Sequence, residues 1–410
     1  MKIRPFRGLR PRKEFVEEVA VKPYDVVDED EVRRTVSKKP RSFFRVTRPE
    51  VNFQEKVDTK SEEVLRSARK ALEDLIESGV MFQDEEERFY LYRLQRGNHV
   101  QIGLVATFSV EDYKQDRIKK HELTRKEKEE ERARHVYYVR AHTGPVYLMY
   151  RSDPDVDSSF EKLAEELQPE YDFEDEGVRH TFYVVKDKNQ IDRIVKAFEK
   201  VEALYIADGH HRAAAAVRAA EWFEKEGIEG EEHRYFLAVV FPHTRLKVYE
   251  YNRVVKDLAG LSEEEFLKVV SEKFTIEEAP QAPYRPQKVH EFGMYMDGKW
   301  YVLKPKEGTF DEKHPVERLD VSILQNNLLS PILKIENPRT DPRIDFVPAV
   351  HGLGELIKKV DEGGWKVGFS LYPTPVEAIM EVSDAGLIMP PKSTWFDPKL
   401  YSGLVVHLIE

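Results

Sequence analysis

The sequence predicts an α/β protein with mixed sheets, built as two closely packed lobes. Three observations lead to that expectation. Apolar runs of strand length alternate with segments whose apolar residues recur at helical spacing. At 410 residues and 48.0 kDa the chain exceeds the usual size of a single hydrophobic core. No low-complexity linker or internal repeat separates its parts, so residues 1–255 are expected as an N-terminal lobe and 256–410 as a C-terminal α/β lobe packed against it.

The elements follow in order. Pro5 to Val27 reads as irregular chain with short strands, and Lys22-Pro23-Tyr24-Asp25 as a polar turn. Ser61 to Ser78 reads as a helix: Ser61 caps it, Val64, Leu65, Ala68, Leu72, Leu75 and Ile76 share a face, and Gly79 ends it. Phe89–Leu94 and Val100–Val110 suit a hairpin across Arg96-Gly97-Asn98. Thr124-Arg125-Lys126-Glu127 has the capping-box pattern and predicts a charged helix over about 125–135, with Lys120-His121-Glu122 just before it. Strands are expected at Val146–Tyr150, Thr181–Val185, Tyr235–Phe241 and Lys247–Tyr251, and helices at Ile191–Val201 and Ser262–Lys273. A second hairpin pairs His290–Tyr295 with Trp300–Leu303. Leu319–Ile335 reads as a helix, and Ile344–Val347, Leu353–Val360, Val367–Leu371 and Val376–Ala385 alternate between strand and helix.

Composition narrows the function classes. The formal charge of -11 arises from 76 acidic and 65 basic residues, an even mixture that argues against nucleic acid as the main partner. The absence of cysteine excludes disulfides, thiolate chemistry and Cys-ligated metal sites. The first residues have no apolar signal core, and no stretch approaches the ~20 apolar residues of a membrane helix, so a soluble cytoplasmic protein without a membrane partner is expected. The density of Glu, Lys and Arg suits a heat-adapted source.

The chemistry concentrates at Ala203-Leu204-Tyr205-Ile206-Ala207-Asp208-Gly209-His210-His211-Arg212, followed by Ala213 to Ala216. A short apolar strand, a turn and a helix ending near Gly227 place an acid, a glycine, two imidazoles and a guanidinium at a helix entrance. Backbone N–H groups and the positive end of the helix dipole favour anions there, phosphate above all. A histidine-rich turn held by local hydrogen bonds is the plainer alternative. A transition-metal site fits less well, because adjacent histidines rarely aim both rings at one ion. Arg212 offers a planar donor fork for phosphate, and Asp208 could hold Mg²⁺ or orient a histidine.

Two further segments are candidates. His121-Glu122 places a carboxylate before the expected helix at 125–135, where, taken alone, a simple helix-entry charge is the plainer reading. Met389-Pro390-Pro391-Lys392-Ser393-Thr394-Trp395-Phe396-Asp397-Pro398-Lys399 is a proline-stiffened loop that could cradle phosphate or carboxylate, or be only a rigid turn. Tyr24-Asp25 is an acidic candidate without motif support. Gly293-Met294-Tyr295-Met296-Asp297-Gly298-Lys299-Trp300 nearly matches a phosphate-binding P-loop, but Trp300 replaces the required Ser/Thr and Asp297-Gly298 suits a hairpin turn. Neither a Rossmann glycine fingerprint nor a protein-kinase signature occurs.

Taken together, Ile118-Lys119-Lys120-His121-Glu122, Ile206-Ala207-Asp208-Gly209-His210-His211-Arg212 and Pro391-Lys392-Ser393-Thr394 resemble, in that order, segments of the free serine kinases of the ParB/sulfiredoxin-like superfamily. The chain from Arg4-Pro5-Phe6-Arg7 onward is also similar to a large bacterial and archaeal family long labelled a domain of unknown function. The resemblance implies a ParB/sulfiredoxin-like nucleotide-binding core in the first lobe and a closing loop in the second. It implies ATP or ADP as donor, Mg²⁺ as cofactor, free L-serine as acceptor and O-phospho-L-serine, a cysteine-biosynthesis intermediate, as product. Glu122 would be the general base. Asp208, Gly209, His210, His211 and Arg212 would contact nucleotide phosphates, with His211 and Arg212 also catalytic and Asp208 holding the turn or Mg²⁺. His121, Lys392, Ser393 and Thr394 would contact substrate or its phosphate. A nucleotide-binding regulatory module, or a kinase for another small hydroxyl compound, are the alternatives; a DNA-partition role is disfavoured by the acidic balance.

Overall fold

The computed structural model describes residues 1–409. They form two compact units, Met1–Leu246 with the chain from Pro398 onward, and Lys247–Asp397. The division falls before the expected 255/256 boundary. Lys247–Tyr249 pairs with Trp395–Asp397, and Tyr251–Val255 is built into the second unit's main sheet. The C-terminal segment belongs to the first unit rather than to a C-terminal lobe: Ser402 bridges Val21, Val406 bridges Leu9, and His407 pairs with His142.

The first unit is organised by a nine-stranded mixed sheet. Its strands are β1 (Ile3–Arg4), β2 (Phe89–Arg96), β3 (His99–Ser109), β4 (Ile118–Lys119), β5 (Val146–Tyr150), β6 (Tyr171–Asp175), β7 (Val178–Val185), β8 (Leu204–Asp208) and β9 (Tyr235–Pro242). The order is β4-β8-β5-β9-β3-β2-β7-β6, with β1 beside β3. Most pairs are antiparallel, but β4–β8 and β5–β9 are parallel. The hairpin of β2 and β3 turns at Gly97, whose φ of +56° suits a residue without Cβ.

Helices α1 (Glu62–Glu77), α2 (Lys126–Val139), α3 (Pro154–Glu166), α4 (Lys188–Phe198) and α5 (His210–Glu226) accompany this sheet. Ser61 caps α1 by accepting the Val64 N–H, as its sequence predicts. The capping box expected at Thr124 does not form. Arg125 is the N-cap, the Thr124 hydroxyl bonds Glu129 instead, and α2 continues to Val139 because Ala133, Val136 and Val139 are buried.

The alanine run of α5 follows from its position. Ala213, Ala216 and Ala220 join the sheet core with Leu148, Ile206 and Val240. Ala215, Ala219 and Phe223 face Ala133 and Val136 of α2. Small side chains let the helix lie close to partners on both sides, and burying Phe223 stabilises the contact by roughly 1.5–3 kcal/mol.

The second unit holds a six-stranded sheet of β10 (Tyr251–Val255), β11 (Phe274–Glu278), β12 (Phe292–Met296), β13 (Lys299–Pro305), β14 (Ile344–Pro348) and β15 (Val367–Ser370), ordered β11-β13-β12-β15-β10-β14. Helices α6 (Glu263–Lys273), α7 (Gly354–Asp361) and α8 (Val376–Asp384) complete it. Ser262 and Glu265 form a full capping box on α6. The near-P-loop sequence is the β12–β13 hairpin, with Asp297 and Gly298 both at positive φ. The long helix expected over 319–335 is instead five α-helical residues followed by a π-helical turn at Gln325–Leu329. No helix among the described residues is long and apolar enough to cross a membrane.

Candidate active site

Parallel pairing brings the first two candidate segments together. Leu204 stands opposite Ile118 and Tyr205 opposite Lys119, so the carboxyl ends of β4 and β8 lie at the same edge of the sheet. His121-Glu122 leaves one strand where Asp208-Gly209-His210 leaves the other. Gly209, at φ +90°, turns the chain from β8 into α5 as its N-cap. A Cβ there would lie 3.0 Å from Arg212 Nε. Gly209→Ala therefore combines a left-handed backbone penalty of about 1–2 kcal/mol with displacement of the guanidinium. Thermal unfolding should show a lower midpoint.

His210 begins α5, and its ring is 3% exposed. Its Nε2 accepts the His121 backbone N–H at 3.4 Å, which assigns the ring proton to Nδ1, and Nδ1 faces Glu122 Oε2 at 3.7 Å. Burial, with His121 beside it, pushes the His210 pKa well down, so the ring is neutral. The His121 ring packs edge-on at 4.4 Å between centroids and is itself buried, which makes it a support for His210. Glu122 is about half exposed. The pair therefore presents a carboxylate to solvent over a neutral, fixed imidazole.

His211 is less buried and accepts the Arg125 backbone N–H at Nε2, 3.3 Å away, supplying the cap that α2 lacks from its own side chains. Arg212 reaches beneath the junction. Its NH1 donates to the Pro145 carbonyl, NH2 lies 3.9 Å from Asp25 Oδ2, and Nε is buried with no hydrogen-bond partner among the described residues. A cavity of about 30 Å³ beside it is lined by Tyr24, Arg132, His142, Arg212 and Ser402, among others.

Asp208 uses both carboxylate oxygens. Oδ1 accepts the Gly209 N–H at 2.8 Å and Oδ2 pairs with Lys399 Nζ at 2.9 Å. Burial raises its pKa, but Lys399 and Arg212 outweigh that and hold the carboxyl below the ordinary range. Asp208 thus fixes the turn and a lysine, and its donor set does not fit Mg²⁺ while Lys399 holds Oδ2. No cluster of three metal-ligating side chains occurs among the described residues.

Sequence reasoning missed Lys399 as a member of this site, although it ends the proline-stiffened loop singled out there. It also left Asp25 without a role. Lys392, Ser393 and Thr394 lie in the second unit. Lys392 is exposed at φ +54°, Ser393 is buried with its hydroxyl donating to the Pro390 carbonyl at 2.6 Å, and Thr394 is partly buried. A larger cavity of about 430 Å³, lined in part by Ile102, Phe160, Tyr183 and Arg245, contains none of the expected site residues.

The buried histidines make stability pH-dependent. Burial lowers His121 to about 4 and His135 and His142 to about 3. An unfolded histidine titrates near 6.5, so below that pH the unfolded chain binds protons that the folded chain excludes. Stability is therefore full above about pH 6.5 and falls as the pH drops toward 4 and 3. Each group should remove about 2 kcal/mol by pH 5. Urea unfolding at pH 7 and pH 5 should show the loss, and His135→Gln should lessen the pH dependence.

Fold and site define a mixed α/β protein whose strand–turn–helix junction sets a helix N-terminus beside a half-exposed carboxylate. Residues 3–322 match the family described as "Protein of unknown function (DUF1015)", and the chain belongs to that family. No curated protein matches it significantly. Among solved structures, a free serine kinase variant in complex with AMP is 14% identical at a TM-score of 0.38, with 71% of this chain and 86% of that chain covered. A conserved hypothetical protein from Pyrococcus furiosus is 15% identical at 0.34, covering 71% and 90%. SbnI from Staphylococcus aureus, with a C-terminal truncation, is 11% identical at 0.36, covering 72% and 82%.

Proposed function

We propose that the junction at 208–212 holds the phosphates of ATP or ADP and that the protein transfers the terminal phosphoryl group to the hydroxyl of free L-serine, giving O-phospho-L-serine. The observation that carries this reading is the Glu122 carboxylate, half exposed and 3.7 Å from His210 at the entrance of a seventeen-residue helix. Phosphoryl transfer asks for in-line positioning, neutralised phosphate charge and a carboxylate near the attacking hydroxyl. The first-turn N–H groups of α5 and Arg212 supply the charge, with His211 at its edge. Glu122 supplies the base.

In the step itself the serine oxygen forms a bond to the terminal phosphorus as the bond to the nucleotide's bridging oxygen breaks. The serine proton passes to Glu122 and the nucleotide leaves one phosphate shorter. Mg²⁺ would arrive on the nucleotide phosphates, since Asp208 is engaged by Lys399 and Gly209. Lys392, Ser393 and Thr394 are proposed as acceptor or phosphate ligands on the strength of the sequence resemblance. The test is to incubate the protein with L-serine and each nucleotide and to look for phosphoserine by mass spectrometry. No phosphoserine with either donor, in a protein that binds AMP, would instead favour a nucleotide-binding regulatory role.

A further inference from the structure

The second unit buries a positive charge to which its fold gives no counterion. Arg253 stands in β10, between β14 and β15, and is 3% exposed. Its NH1 donates to the Tyr251 carbonyl and NH2 to the Lys392 carbonyl at 3.1 Å, and Phe346 places its ring centroid 5.1 Å from the guanidinium carbon. No described carboxylate lies within ion-pair distance of it. Burial lowers its pKa to about 9, with Tyr251 acting in the opposite direction.

Arg10, 4% exposed, is the internal contrast. Two of its nitrogens meet the two Asp84 oxygens at 2.9 Å, a third meets Glu170 at 2.7 Å, and its pKa is raised. A buried charge is unfavourable unless it is paired, and at Arg253 the pairing group is missing.

The surroundings suit a ligand. Two of the five guanidinium N–H donors hold carbonyls, which fixes the fork and leaves donors over. Lys392 brings a second cation, its ammonium 5.2 Å from the centroid of Tyr251, and Tyr251, Phe346 and Trp395 are all partly exposed. The loop that carries Lys392 is tied down by the Ser393 hydroxyl on the Pro390 carbonyl and by the Thr374 hydroxyl on the Ser393 carbonyl at 3.3 Å.

We propose that Arg253, with Lys392 beside it, is an anion-binding element of the second unit that takes a carboxylate or phosphate oxygen of a small ligand. This binding stands apart from the kinase reading above. Calorimetric titration of the full chain at constant ionic strength with inorganic phosphate, and separately with acetate, tests it and distinguishes the two sources. Arg253→Gln is expected to weaken binding of one of them at least tenfold, Arg253→Lys to restore part of it, and both to leave AMP affinity unchanged.

The inference is overturned if neither anion binds the wild type, or if folded Arg253→Gln binds both as the wild type does. Should Arg253→Gln not fold, Arg253→Lys and the exposed-site variant Lys392→Gln decide. Wild-type affinity in both then overturns the inference, and loss of affinity supports it. Loss of anion binding without phosphoserine formation in the wild type would fail the kinase reading alone. Phosphoserine formation with anion binding indifferent to Arg253 and Lys392 would fail this inference alone.

Discussion

Replacing Arg212 by alanine is expected to lower phosphoryl transfer by about 10³-fold, the lower end of what an arginine contact contributes in phosphoryl-transfer enzymes. Its guanidinium is fixed in place. The Pro145 carbonyl fixes NH1, Asp25 faces NH2 at 3.9 Å, and Nε is buried without a hydrogen-bond partner among the described residues. Asp25 and Asp208 act against the cost of burying the charge, and the guanidinium pKa is raised. Lysine should not rescue the variant, because a point charge cannot reproduce the planar fork. Removing a buried donor should also cost about 1–3 kcal/mol of stability, so kcat/KM is to be compared at a temperature where circular dichroism shows both proteins folded. A loss of tenfold or less would remove Arg212 from the transfer step.

Glu122→Gln should separate binding from turnover. The side chain is half exposed, so an isosteric amide changes stability little, and its carbonyl oxygen can still face His210 Nδ1. A general base contributes typically about 10²–10⁴-fold, and kcat should fall by that range while calorimetric AMP affinity is retained. A variant that loses AMP affinity and keeps kcat would place Glu122 among the nucleotide ligands instead.

The sequence carried the local pieces of this site well. Five apolar residues, Asp-Gly and an alanine-rich segment sufficed for the strand, turn and helix at 204–226, and the structure has all three. The meeting of His121-Glu122 with that junction was expected only through resemblance. It depends on β4, a strand of two residues with no readable periodicity, pairing in parallel with a strand 86 positions later. Lys399 was hidden for a similar reason. It sits in the same loop as Lys392, yet Lys392 stays with the second unit while Lys399 pairs with Asp208 in the first. At Thr124 side-chain partners displaced the local signal, since its hydroxyl bonds Glu129 and the Arg125 N–H goes to His211 Nε2, while the π turn at 325–329 buries Asn327, Leu328 and Leu329 where a continuous helix was expected. Arg253 carries no motif, and its missing counterion becomes visible only when its strand neighbours are known.

Phosphorus NMR of the protein with L-serine and ATP or ADP tests the central claim most directly, because it separates transfer from hydrolysis in one spectrum. The account predicts a phosphomonoester resonance from phosphoserine that grows as the nucleotide loses its terminal phosphate, and no such growth with Glu122→Gln. Nucleotide left intact with both donors, or broken down only to inorganic phosphate, would contradict it.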